Sequence, residues 1–506
     1  MPTPTAYALF FIALIFTSGD LFSAAKVGNK IDHTCVNKWK NPNTPLPVFA
    51  QKLHPFAGPR DAKALYKQLA AFPQDIDKLK WPKENPWVKT KGVKPVKASS
   101  FGWDKDDATK CLQKALDSNA KVILIDKMKG PWHITGVVMR SGKTVILDDG
   151  VVITGTIKSR RENSRQRLFQ FDKCEKIFVE GKGKNYIGRY TEEDELGRNV
   201  GRKYGSTAIG ISDSRDLAFK NLYIANNGED GVSIGGILPT SQNIWFEDVV
   251  LHRNTRQAMS ICSGMGIYMK NVTFSGTCGL PPKCGLDIEP SLPTVEVTSE
   301  IYLLGCTFKN NDGAGVQFST SSRFPITFYA KDCVFEPTFP PALGIVQRVM
   351  YPQYNTDAPS DIIFENCLFK TYPGVTPIQF AHGNFFHVTF KGGEIRELKG
   401  MRKPSKAPIK FTLEREFRME KDNSPVSRPV PEGSLVFDNL KITGFEGKDA
   451  IEVEDMALQN SVNNIYGIIV MNKRKLDVSK YRYIGYDAMQ AEEKESKASK
   501  RRRRNR

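Results

Sequence analysis

The sequence predicts an all-β fold, a parallel β-helix solenoid, and three observations predict it. A short strand pattern returns at near-constant spacing: Gly231-Val-Ser-Ile-Gly, Ala258-Met-Ser-Ile-Cys, Gly285-Leu-Asp-Ile-Glu and Gly315-Val-Gln-Phe-Ser start 27, 27 and 30 residues apart. A second series is interleaved with it, over residues 217–224, 244–251, 267–274 and 301–308. Two different strands per fixed period make a coil that cannot bury its own apolar face and must stack on the next. The chain is also long, at 506 residues, for one ordinary core, whereas a solenoid lengthens by adding coils.

Residues 1–25 have a secretory-signal layout, with an apolar run over 6–16 and Ser23-Ala-Ala before Lys26, although no Lys or Arg precedes the run. That run is shorter than the ~20 apolar residues of a membrane span, and no later segment approaches such a length. A soluble exported protein follows: secreted, periplasmic or at the cell surface. Residues 26–98, rich in Pro, Lys and Trp, read as an extended arm with one helix near 61–72. The solenoid is assigned to residues 99–458. It opens on a capping helix, with Asp106 or Asp107 as its N-cap and Ala108, Cys111, Leu112 and Ala115 on one face. Strands follow at residues 122–125, 132–134, 145–147 and 151–153. Beyond Thr320 the repeats loosen into strands at 326–335, 362–369, 388–395 and 435–442. Gly344-Ile-Val-Gln and Pro377-Ile-Gln-Phe continue the first series, and the charged stretch 399–431 reads as a long loop of the kind that walls a binding face. Residues 459–490 are expected to cap the solenoid and 491–506 to form a disordered basic tail.

That tail holds eight basic and three acidic residues, so it supplies +5 of the net charge of +18 and leaves +13 on the body. An exported protein has little access to nucleic acid, which excludes the nucleic-acid reading such a tail invites. A basic body suits an acidic partner outside the cytoplasm, a uronate or sulfated polysaccharide, bound by a monomer. Nine cysteines are too few for a disulfide scaffold. Cys306, Cys333 and Cys367 occupy the place that other coils give to Leu222, Val249, Val272 and Leu440, and so read as a buried column of small hydrophobes. Cys278 and Cys284 bracket a Gly-Leu-Pro-Pro-Lys turn that a disulfide could close or leave open. Six scattered histidines give no ligand spacing, and no metal or other cofactor is expected, with calcium reserved for the case of a lyase.

The order of helix, Lys121-Val-Ile-Leu-Ile, Gly136-Val-Val-Met-Arg-Ser-Gly-Lys-Thr-Val-Ile-Leu and Gly150-Val-Val-Ile resembles the amino-terminal cap and first coils of the pectin-lyase-like right-handed β-helix superfamily. The resemblance covers about residues 99–442. It implies a right-handed solenoid and a place among polygalacturonases, pectate lyases, alginate lyases and epimerases, carrageenases and tailspikes. The polygalacturonase motif set is incomplete: Asp148-Asp149 comes too early and Ala381-His382-Gly383 only echoes one member. Fold alone does not give the reaction.

Strand alternation locates a site independently. Leu286 and Ile288 match Val232 and Ile234, Met259 and Ile261, and Val316 and Phe318, so they face the core and Asp287 and Glu289 face outward. Asp287 then stands in a column with Ser233, Ser260 and Gln317. Continuing the strands backwards by two residues from Gly231, Ala258 and Gly285 predicts a third column of Glu229, Arg256 and Lys283. Glycoside hydrolysis needs one carboxylic acid and one carboxylate, ~6.5–9.5 Å apart for inversion, and the spacing of Asp287 and Glu289 favours inversion. Asp287 and Glu289 are therefore the candidate acid and base. Arg256, Glu229, Asp230, Lys283, Gln317, His252 and Arg253 are the candidate substrate contacts, Arg256 by its planar fork on a carboxylate or sulfate. For each carboxylate the alternative is a solvated solenoid face. Three functions stay open: a glycosidase on acidic polysaccharide, a polysaccharide lyase drawing on Arg256, Lys283 and Arg253, and a non-catalytic adhesion or glycan-binding solenoid.

Overall fold

A computed structural model describes residues 74–156, 167–190, 207–236, 240–290, 296–320, 326–336, 343–347, 360–381, 386–399, 405–412, 434–445, 448–453, 465–471 and 473–477. The expected signal segment, the helix near 61–72, His382 and the basic tail lie outside them.

Three parallel ladders form the solenoid. One runs through Thr144–Leu147, Glu175–Gly181, Arg215–Lys220, Ser241–Glu247, Gly264–Lys270, Thr298–Leu304 and Thr327–Lys331. The next runs through Tyr223–Ala225, Val250–His252, Thr273–Ser275 and Thr307–Lys309. A separate sheet of eleven strands, from Val137–Val138 to Ile451–Val453, completes each coil. Among the described residues the one antiparallel pairing is Ile465–Met471 with Arg474–Asp477. The predicted repeats are in register: Val232, Met259, Leu286 and Val316 pair in succession and are all fully buried. One strand was missed, since Ile409–Thr412 lies inside the stretch read as loop and extends the eleven-stranded sheet.

A single left-handed residue turns the chain between the first two ladders in coil after coil: Asn221, Asp248, Asn271, Gly305, Asp332, Asn366, Gly392 and Asn439, with φ between 50° and 62°. Asn, Asp and Gly recur there because they tolerate that conformation at least cost. Just after it come the buried Cys306, Cys333 and Cys367, stacked on Val272 and Val249 as expected. Two residues further on, Phe274, Phe308, Phe335 and Phe369 stack ring on ring at centroid spacings of 4.5, 4.7 and 4.5 Å. Such ladders gain ring–ring attraction beyond area burial. A buried asparagine pair also stacks across coils, Asn227 Nδ2 donating to Asn254 Oδ1 at 2.9 Å.

The helix Thr109–Asp117 packs Cys111, Leu112, Ala115 and Leu116 into the same core. Its N-cap is Ala108, and Asp107 instead accepts from the Thr109 amide at 2.9 Å. The arm proves to be ordered over residues 74–98. It lies along the outer column Thr144, Phe178, Ala218, Trp245, Tyr268, Tyr302, Tyr329, whose members pair strand by strand. Asn85 Nδ2 donates to Thr144 Oγ1 at 3.1 Å and the Lys143 carbonyl at 3.3 Å. Trp81 meets Trp245 edge-on at 5.2 Å, and Ile76 is buried with Tyr268, Tyr302 and Tyr329. The Gln74 amide donates to Tyr302 Oη at 3.0 Å, and Asp77 pairs with Lys331.

Candidate active site

The eleven-stranded sheet carries the candidate site on Asp230–Gly235, Gln257–Ile261 and Leu286–Ile288. Asp287 pairs with Ser260 and Gln317 in register, as the alternation predicts. The third column differs. Ala258 and Met259 are consecutive and both lie in the core, and a Cβ at Gly285 would meet the Phe308 ring at 3.0 Å. Two successive inward positions shift the alternation by one, so Gln257, and not only Arg256, stands beside the carboxylates.

Gln257 is the residue that sequence reasoning missed. Its Nε2 donates to Asp287 Oδ2 and, at 3.2 Å, to Glu289 Oε1. Its Oε1 accepts from Arg256 at 2.9 Å. Arg256 also donates to both oxygens of Glu289 at 3.2 Å and to Asp230 Oδ2 at 3.4 Å. Ser260 Oγ donates to Glu289 Oε1 at 2.8 Å. Because one amide nitrogen reaches both acids, the nearer oxygens of Asp287 and Glu289 lie within about 6 Å of each other.

Exposure separates the acids. Asp287 is only 1% exposed, so it does not open onto solvent as predicted, whereas the Glu289 side chain keeps 18%. Burial pushes the Asp230 carboxyl well above the usual range; Arg256 opposes the shift, and Glu229 and Glu289 add to it. For Arg256 burial works against the charge, but Asp230, Glu289, Asp287 and Glu229 outweigh it and raise the pKa. The guanidinium is thus a fixed cation. Cys262 and Cys284 are pushed up by burial, with nearby carboxylates adding to it, so neither is a thiolate.

The remaining candidates divide. Glu229 shares Arg256's surroundings, its carbonyl accepting the Arg256 amide at 3.0 Å. Gln317 accepts from Cys284 Sγ at 3.2 Å, one coil on from Asp287. Lys283 sits at φ 61° with its ammonium 3.6 Å from Asp312. His252 and Arg253 belong to the other ladder, beside Gly276, with His252 Nδ1 2.9 Å from Ser275 Oγ. No disulfide joins Cys278 and Cys284. Among the described residues no three His, Cys, Asp or Glu side chains are grouped to hold a metal, and no helix is long and apolar enough to cross a membrane.

Residues 190–369 match the family model described as right handed beta helix region. No curated protein matches the chain. Among solved structures the chain is similar to a polygalacturonase from Erwinia carotovora ssp. carotovora, at 14% identity over 70% of this chain and 95% of that one, TM-score 0.40. It is similar to the A-module of the mannuronan C-5 epimerase AlgE4 of Azotobacter vinelandii, at 12% identity over 71% and 97%, TM-score 0.39. It is also similar to PfbA, a surface adhesin of Streptococcus pneumoniae, at 12% identity over 76% and 94%, TM-score 0.43.

Proposed function

We propose that this right-handed parallel β-helix acts on a polysaccharide as an exported glycosidase, with Glu289 and Asp287 as its carboxyl pair. The observation that carries the reading is the single Gln257 amide bonded to both acids beside Arg256. Hydrolysis needs a proton donor and a carboxylate close together, and Gln257 holds these two acids side by side. Glu289 is the group offered to substrate. Its oxygens take donors from Ser260, Gln257 and Arg256, which suits it to the carboxylate role, and leaves the proton to Asp287. Gln257 fixes the two relative to each other.

The lyase reading is less supported, because Arg256 stays protonated among four acids and cannot abstract a proton, and Lys283 is turned to Asp312. The burial of Asp287 favours one other reading, glycan binding without turnover. A glycan panel assayed for reducing ends and for ultraviolet absorbance of unsaturated products separates all three. On a substrate that is cleaved, Glu289→Gln and Asp287→Asn should each abolish turnover while much of the affinity remains. Wild-type rates in both variants would sink the hydrolase, unsaturated products would establish a lyase, and binding without any product would leave a lectin-like solenoid.

A further inference from the structure

The positive charge of the chain is not spread over the solenoid. Residues 26–98 hold fifteen basic and five acidic residues and carry +10 of the net +18. Residues 491–506 add +5 and Asp20 subtracts one, so residues 99–490 keep only +4. The charge that suggested an acidic partner belongs largely to the arm.

Over residues 74–98 the arm has two faces. Ile76, Asn85 and Ala98 are buried and Leu79, Trp81 and Trp87 half-buried, whereas every lysine is exposed. The inward contacts run from Lys331 and Tyr302 past Trp245 to Thr144, a line of seven stacked strands or about 29 Å at ~4.8 Å per step. Val96–Lys97 then pairs with Val122–Ile125 at the edge of the same ladder. The acids along this face have cations of their own: Asp75 has Lys78, Asp77 has Lys331, Glu247 has Lys220 and Lys270, and Glu175 has Lys176 and Arg215. Lys80, Lys83, Lys89, Lys91, Lys94 and Lys97 face solvent, with Glu84 the one acid among residues 78–98.

We infer that this lysine strip is a second polysaccharide site, on a different sheet from the carboxyl cluster, and that it docks a linear acidic polymer, uronate or sulfated. The inference rests on the polysaccharide reading for the class of polymer, and not on Asp287 and Glu289 as catalysts. Each exposed ion pair is weak alone, but a polymer that repeats its anion engages many at once. The buried anchors hold the lysines in place, so binding does not have to order a loose segment. Ammonium point charges take carboxylate and sulfate alike, without the planar match that a guanidinium favours. A membrane fits less well, since Val93 is the one large apolar side chain exposed on residues 74–98. Nucleic acid also fits less well, because Trp81 and Trp87 are half-buried, Trp81 against Trp245, and are not presented to stack on bases.

The experiment is calorimetric titration of the full chain with dextran sulfate, polygalacturonate and unsulfated dextran of matched length. At least one acidic polymer is expected to bind, more weakly as salt is added, and dextran is not. Replacing Lys80, Lys83, Lys89, Lys91, Lys94 and Lys97 together by Gln should weaken that binding at least about tenfold, and replacing them by Arg should preserve it. The same six-charge change at the exposed Lys110, Lys114, Lys173, Lys184, Lys448 and Lys475 of the solenoid should cost less than about threefold. Binding of neither acidic polymer, equal binding of dextran, equal losses in the two Gln variants, or a loss as large with Arg as with Gln overturns the inference. Tighter binding of a short DNA duplex or of phosphatidylserine vesicles than of both acidic polymers overturns it too. Turnover of Asp287→Asn and Glu289→Gln on whatever glycan the panel finds cleaved decides the glycosidase reading separately.

Discussion

Replacing Arg256 by methionine keeps most of the side chain's volume and removes its charge. The guanidinium, with 16% of its side-chain surface exposed, bonds both oxygens of Glu289 and one of Asp230. Removing one partner of a buried pair costs about 3–5 kcal/mol when the other charge stays buried. Glu289 keeps 18% exposure and rehydrates in part, so the expected loss is about 2–4 kcal/mol at pH 7.5. The sign of its pH dependence follows from linkage. Arg256 opposes the burial that raises the Asp230 carboxyl, so it favours the ionised form of Asp230. The part of the loss carried by the Arg256–Asp230 contact is therefore present where Asp230 is ionised and shrinks as pH falls through its raised folded pKa, so the loss at pH 4.5 is smaller than at pH 7.5. Urea denaturation of wild type and Arg256→Met at both pH values measures it. Arg256→Met with Glu289→Gln should recover part of the loss, because the stranded charge is gone. A loss of equal size at both pH values, or none at pH 7.5, refutes the picture of a counterion holding a buried acid cluster.

Asp230 gives a second pH signature. A carboxyl whose folded pKa is raised contributes stability that is present below the unfolded value, ~3.9, and lost as pH rises through the folded one. Wild type should therefore lose melting temperature relative to Asp230→Asn from about pH 4 upward; a constant difference across pH 4–8 would count against the buried, protonated acid. Asn85→Ala should cost about 1–3 kcal/mol in chemical denaturation, since Lys143 and Thr144 lose a buried donor; an unchanged midpoint would mean that the arm is not docked. Phe308→Ala should cost about 3–5 kcal/mol, with Phe308→Leu well below it, because the ring is stacked on both sides by Phe274 and Phe335.

The coil columns were legible because side chains alternate with period two and the repeat length is nearly constant. That is why Leu286, Ile288 and the Cys306–Cys333–Cys367 column came out in place. Alternation fails where a strand begins irregularly: Ala258 and Met259 both turn inward, which hid Gln257. The burial of Asp287 was equally hidden, since a strand pattern says which face a residue takes but not what covers that face. Trp245, Tyr268, Tyr302 and Tyr329 recur at one position of the second series, a signal present in the repeats. They point away from the core, and only the arm's contacts give that column its use.

Coils that touch only their neighbours melt piecemeal, the ends fraying ahead of the middle. The arm changes that for the coils between Thr144 and Lys331, because residues 74–85 contact both ends of the run and the aromatic column between them. Opening any one of these coils breaks the line along which the arm lies, so their unfolding is coupled across distances that strand pairing alone does not reach. The contacts span 228 positions from Gln74 to Tyr302 and 254 from Asp77 to Lys331. The arm precedes these coils in the chain and can thus engage fully only after the strand Thr327–Lys331 exists, and its docking reports that every intervening coil has stacked in register.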